Sequence, residues 1–182
     1  MRKLLIVVDM QNDFIHGSLG TKEAQAIVSN VINKIRQFNG TVVYTRDTHD
    51  ENYLSTQEGK NLPVKHCIKG TEGWEIPDAI LAAGYDKRAG RVLKQIYDKP
   101  TFGCVELAED ISKWYAQDLE EDLEIELIGL CTDICVVSNA LLLKAFIPSV
   151  RIMVDSRCCA GVTPSSHKAA LETLRACQVM VA

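Results

Sequence analysis

Three polar side chains stand where buried strands of this chain should end. Asp9 follows the apolar run Leu4 to Val8 in VVDMQNDF, where a partly desolvated carboxylate could accept a proton. Position alone leaves a turn or helix cap as an equal alternative, because Asp is common where strands give way to turns. Cys135 lies in IELIGLCTDICVV, in which a strand runs into Gly129, a short turn follows, and Thr132 and Asp133 are candidate N-caps for the next helix. A thiol near a helix N-terminus meets unpaired amides and the positive end of the dipole. Both favour the thiolate and lower a pKa that is about 8.5 in free cysteine. The same amides could stabilise an oxyanion; the alternative is a buried structural cysteine. Lys99 closes a third strand in YDKPTFG. A buried ammonium there would stabilise an adjacent carboxylate or thiolate, whereas an exposed one would be a surface lysine beside a proline turn.

A second group has the types that bind metal. In RDTHD, Asp47 and His49 lie two apart in an extended segment, so both point to one side and could hold one ion. His66 in KHCIKG could complete a set of one carboxylate and two imidazoles, leaving positions open for water or substrate. Cys67 is a competing ligand, and a solvated His49 with a turn-capping Asp47 is the alternative. His16 and His167 have no comparable company.

The elements that must position these groups follow from hydrophobic period. The run Leu4 to Val8 reads as a buried strand; Ile27, Val31, Ile35 and Phe38 then recur at helical spacing, Gly40 breaks the helix, and Thr41 to Thr45 suits a second strand. Further strands are expected at Val92 to Asp98, Ile125 to Leu130, Val150 to Val154 and Val179 to Val181. Helices are expected over Val105 to Tyr115, near Asp133 to Phe146, and over Ser166 to Cys177. About six strands alternating with helices predict a three-layer α/β/α domain. Its sheet is mostly parallel and covered on both faces, with ligands beyond the carboxyl ends of the strands. Thr48 to Trp74 breaks the pattern, carries two of the four histidines, and is expected to be an ordered site loop.

Composition narrows the function. The 182 residues are 47% hydrophobic and 24% charged, which predicts one soluble domain over residues 1–182 with a continuous core. A net charge of -4 with no basic run excludes electrostatic recruitment of nucleic acid and makes a membrane surface a poor partner. The opening Met1-Arg2-Lys3 and its apolar run are too short for a signal peptide and end in Asp9 and Asp13. Seven cysteines without a C-x-x-C spacing fit a reducing cytoplasm in which most thiols are small buried hydrophobes.

Taken in order, VVDMQNDF, YTRDTHD, HCIKGTEGWE, DKPTFG and GLCTDICV resemble the aspartate, metal-loop, lysine and nucleophile motifs of the isochorismatase-like cysteine hydrolases, and within them the nicotinamidases. Five signatures in the correct order are far more specific than any one. The resemblance covers nearly the whole chain and implies a Rossmann-like fold. It implies a catalytic Asp9, Lys99 and Cys135, metal ligands Asp47, His49 and His66, and one divalent ion, zinc by preference with iron or manganese compatible. It also implies a cis peptide between Leu130 and Cys131, an oxyanion hole from the amides of Cys131 and Cys135, and self-association into an oligomer. The reaction it implies is hydrolysis of nicotinamide to nicotinate and ammonia through a cysteine thioester, in NAD salvage. The run Leu62 to His66 departs from the aromatic residue and proline that many nicotinamidases carry before the metal histidine. Leu62, and Phe14 near the aspartate motif, are the expected apolar walls of the substrate pocket. Two other readings use the same residues. A metal-independent relative would act on another small amide, carbamoyl compound or vinyl ether, and a non-catalytic thiol or metal-binding protein would serve interaction or redox sensing.

Overall fold

The first apolar run is buried on both sides. Leu4, Leu5, Ile6, Val7 and Val8 have no exposed surface, so strand β1 (Arg2–Val8) must be covered above and below. The computed structural model, which describes residues 1–87, 92–118 and 120–182, shows how. Helix α1 (Asn12–Ile15) and helix α2 (Lys22–Gln37) follow β1; Thr21 caps α2 through its hydroxyl, and Ala24, Ile27, Val31 and Ile35 form its buried stripe. Strand β2 (Thr41–Asp47) returns parallel to β1. The remaining elements are α3 (Gln57–Asn61), α4 (Asp78–Ala83), β3 (Ile96–Lys99), α5 (Val105–Ala116), β4 (Leu123–Leu130), α6 (Val137–Phe146), β5 (Arg151–Ala160), α7 (Pro164–Ala176) and β6 (Met180–Val181).

The six strands form one sheet in the order β3-β2-β1-β4-β5-β6, and every pairing is parallel. Helix α2 packs with α4, while α5, α6 and α7 pack in series, giving the two helical layers that the alternating pattern predicts. The order reverses between β1 and β4, and the crevice at such a switch point is where doubly wound sheets bind ligands. Among the described residues no helix is long and apolar enough to cross a membrane. All seven cysteines are free and five are buried.

Several boundaries differ from the pattern. The third strand begins at Ile96 and not at Val92, because the amide of Lys94 donates to the Tyr97 hydroxyl and not to a neighbouring strand. The helix expected near Asp133 is preceded by a wide turn, Thr132–Val136, and becomes α-helical only at Val137. Strand β5 continues past Val154 to Ala160, with a register shift opposite Leu127 and Gly129. The segment from Thr48 to Trp74 is ordered, as expected, and holds two short 3₁₀ turns and α3.

Gly129 shows why the β1–β4 seam tolerates little change. Its φ is +115°, and a Cβ there would lie 2.1 Å from the Val8 carbonyl oxygen, one residue before Asp9. Gly129→Ala should therefore destabilise the protein by more than about 1 kcal/mol, read as a lowered urea midpoint at unchanged m-value. An unchanged midpoint would show that this backbone contact is not needed.

Candidate active site

Sheet register brings the first group together. Val8 pairs with Gly129, and Asp47 lies directly opposite Lys99, so the segments that follow β1, β2, β3 and β4 emerge along one edge. Asp9 takes up a left-handed conformation, φ +45°, which Asp tolerates better than most residues. Its amide donates to the Thr45 carbonyl at 3.2 Å, and the Thr45 hydroxyl donates to Asp9 Oδ1 at 2.6 Å. Lys99 Nζ lies 2.7 Å from Asp9 Oδ2, 3.3 Å from Asp47 Oδ1 and 3.4 Å from Cys135 Sγ, and donates to the Thr101 carbonyl at 3.1 Å. Asp9, Asp47, Lys99 and Cys135 are all buried.

Burial sets the electrostatics. It raises the Asp9 carboxyl above its ordinary value against the pull of Lys99. Burial alone would discharge Lys99, but Asp9, the Cys135 sulfur and Asp47 outweigh it and hold the ammonium well above its ordinary pKa. Asp47 shows the opposite balance to Asp9, since its hydrogen bonds to His49 and His66, with Lys99, overcome desolvation and keep it ionised. The expectation of a lowered thiol pKa is not met. Burial, and then the negative charge of Asp9, push Cys135 well above the ordinary thiol value, and Lys99 only partly offsets them. Both effects favour the thiol over the thiolate.

The metal-type residues also converge. Asp47, His49, His66 and Glu58 each place a ligand atom within 4.8 Å of the others. His49 Nε2 lies 2.9 Å and His66 Nε2 3.5 Å from Asp47 Oδ2, and Glu58 Oε1 is 3.6 Å and 3.9 Å from the same two nitrogens. His66 Nδ1 is 2.8 Å from the Val64 carbonyl; with Nδ1 donating there, release of the Nε2 proton that faces Asp47 would leave Nε2 a lone pair for an ion. Two carboxylates and two imidazoles whose ligand atoms converge on one point form a donor set that suits a divalent cation such as zinc. Gln11 holds the frame, accepting from the Asp47 amide at 2.7 Å and donating to the carbonyls of Asp47 and Trp74. Cys67 is not in the group; its amide donates to Asp13 Oδ2 at 2.8 Å. Sequence reasoning missed Glu58, which α3 presents from within the loop. Thr56, which caps that one-turn helix by accepting from the Gly59 amide, was the available signal.

Cys135 sits in the wide turn after β4. The Leu130–Cys131 peptide is cis. Thr132 and Asp133 do not cap the helix as expected: the Thr132 hydroxyl pairs with His167 Nδ1 at 2.8 Å, and Asp133 accepts from the Val162 amide at 3.1 Å. Both tie the turn to the segment around the start of α7, so His167 has a partner that its sequence context did not reveal. Asn139, also missed, donates to the Cys135 carbonyl at 2.7 Å and accepts from the Cys104 amide at 2.9 Å. It joins the cysteine's turn to the loop that follows Lys99. A cavity of about 780 Å³ opens onto Cys135, Asp47, Glu58 and His66, and Phe14 and Leu62 are among the residues that line it.

The Isochorismatase domain family model matches residues 3–182. The chain belongs to the isochorismatase family. A family relative, the uncharacterized isochorismatase family protein PncA of Bacillus subtilis (strain 168), is 31% identical over 183 residues, spanning 94% of this chain and 93% of its own. The solved structure of the Bacillus subtilis nicotinamidase/pyrazinamidase PncA is similar with a TM-score of 0.78 at 26% identity, covering 100% of both chains. A pyrazinamidase of Pyrococcus horikoshii, solved in complex with zinc, shares the fold with a TM-score of 0.73 at 23% identity, over 100% of this chain and 99% of that one. This is an isochorismatase-family hydrolase whose relatives and structural neighbours include nicotinamidases.

Removing one partner of a buried ion pair leaves the other charge uncompensated. Lys99→Met leaves Asp9 buried without its cation and should cost about 3–5 kcal/mol at neutral pH in urea unfolding. An acid whose pKa is raised in the folded state is penalised above that pKa and relieved below its unfolded value. The deficit should therefore narrow as pH falls through the raised Asp9 pKa toward 3.8. A deficit that does not change with pH would contradict the charge argument.

Proposed function

We propose that this protein is a cysteine amidohydrolase that hydrolyses nicotinamide to nicotinate and ammonia, with the acid passing into NAD salvage. One observation carries the reading: a single ammonium, Lys99, lies within 3.4 Å of the Asp9 carboxylate, the Cys135 thiol and the metal-type Asp47, and the last two border one cavity. Amide hydrolysis needs a nucleophile stronger than water, a stabilised tetrahedral oxyanion and a proton for departing ammonia. Cys135 is the nucleophile, and Asp9, whose charge already bears on the thiol, takes its proton as sulfur bonds to the carboxamide carbon. Lys99 compensates the charge that passes between them. The amides of Cys131 and Cys135 stabilise the oxyanion. When the carbon–nitrogen bond breaks, Asp9 returns the proton to the nitrogen, ammonia leaves and a thioester remains. Asp9 then removes a proton from water, which adds to the thioester carbonyl. Collapse releases the carboxylic acid and restores the thiol.

Asp47, His49, Glu58 and His66 would hold the divalent ion, zinc or else iron or manganese. When bound, such an ion supplies a Lewis acid for a pyridine nitrogen and so orients the ring. Around it, the protein's own groups keep the ring in place: Phe14, with its ring 5.5 Å from that of His66, and Leu62 form apolar walls. Support for a metal-dependent reading comes from the donor set itself and from the zinc complex of the Pyrococcus horikoshii pyrazinamidase.

Two experiments test this reading. Cys135→Ala should reduce ammonia release from nicotinamide by at least about 10³-fold while the folded circular dichroism is kept; retained turnover would remove the nucleophile. Stripping the protein with a chelator should raise KM more than it lowers kcat, and added zinc should reverse the effect. Kinetics that resist chelation would instead indicate a metal-independent member of the family.

A further inference from the structure

The cavity is larger and more apolar than a single pyridine ring requires. At about 780 Å³ it lies well within the range of sites that enclose drug-sized ligands. The groups proposed to anchor the substrate are at its base, since Cys135, Asp47 and His66 are all buried. Its mouth is different. Leu62, Phe102 and Val162 line the same cavity and are 37%, 45% and 49% exposed. They come from three separate segments, after α3, after β3 and after β5. Single exposed apolar residues need no explanation, but three converging on one opening form a patch that can take apolar surface out of water. Leu19 and Ile134, both half-buried, also line the cavity.

We propose that this rim binds an apolar substituent on the substrate ring, so that the preferred substrates are pyridine-3-carboxamides alkylated at carbon 5. The inference rests on the amidohydrolase reading above. If the amide carbon meets Cys135 and the ring nitrogen faces the Asp47, His49, Glu58 and His66 group, the substrate is held at two ring positions that are meta to one another. Carbon 5 is meta to both and lies opposite the edge they share. A substituent there points away from the buried anchors and toward the exposed rim. The rim contacts are the same in ground and transition states, so they lower KM and leave kcat little changed.

The test compares nicotinamide with its 5-methyl, 5-ethyl and 5-propyl derivatives by ammonia release. KM should fall by up to about fourfold for each methylene buried, with kcat nearly constant. The double variant Phe102→Ala/Val162→Ala should flatten the series, read as the ratio of kcat/KM for 5-propylnicotinamide to that for nicotinamide. Hydrolysis of nicotinamide with rejection of the alkylated compounds would overturn the inference and leave the amidohydrolase reading intact. A series that is equally steep in the double variant would overturn the assignment of the rim. Absence of ammonia from every member would remove the amidohydrolase reading itself.

Discussion

An ammonium ion buried in a protein interior costs several kcal/mol unless opposite charges and hydrogen-bond acceptors meet it closely. Lys99 has no exposed side-chain surface and is met by Asp9 at 2.7 Å, Asp47 at 3.3 Å, the Thr101 carbonyl and the Cys135 sulfur. Each partner comes from a different segment, so a slip of one residue in the pairing of β1, β2, β3 or β4 would leave a buried charge without its counter-ion. The parallel register that sets Asp47 opposite Lys99, and Gly129 beside Val8, is thus also what assembles the site. Fold and site depend on the same constraint.

Asp47 links the two halves of that site. One of its oxygens lies beside Lys99 and the other beside His49 and His66. A bidentate group shared in this way means that the metal-type cluster and the thiol centre cannot be repositioned independently. Gln11 locks the Asp47 backbone from the β1 side, so the aspartate motif and the metal loop are also joined through hydrogen bonds that carry no charge. Within this frame burial and the charge of Asp9 both favour the thiol over the thiolate. On the proposed mechanism, this reserves the reactive thiolate for the moment when a carbonyl carbon is in place to receive it.

Much of this was legible in the sequence because strong local signals coincide with the structure. Apolar runs marked β1, β2 and β4, helical spacing marked α2, and the residues at strand ends, Asp9, Asp47 and Lys99, were read as chemistry because of where the runs stop. What was not legible depends on tertiary contacts. Glu58 sits on a helix of five residues whose period is too short to register, and it joins the cluster only because the loop folds back to bring His66 beside His49. Asn139 looks like an ordinary polar residue in a helical pattern until its side chain is seen bridging Cys135 and Cys104. Thr132 and Asp133 have the composition of caps, yet they bond to the α7 side of the molecule because the wide turn directs them there. The thiol's raised pKa was misjudged for a related reason. Proximity to a helix start is visible in a sequence, whereas full burial beside a carboxylate is not.

Formation of a covalent bond between Cys135 and the acyl group of the substrate is the decisive step of the proposed mechanism. It is tested most directly by mixing enzyme with excess nicotinamide, quenching in acid within a single turnover, digesting, and locating any acyl group by mass spectrometry. A nicotinoyl thioester is expected on the peptide that carries Cys135 and on no other cysteine. Ammonia release with an unmodified Cys135 at every quench time, or an acyl group on a different residue, would contradict it.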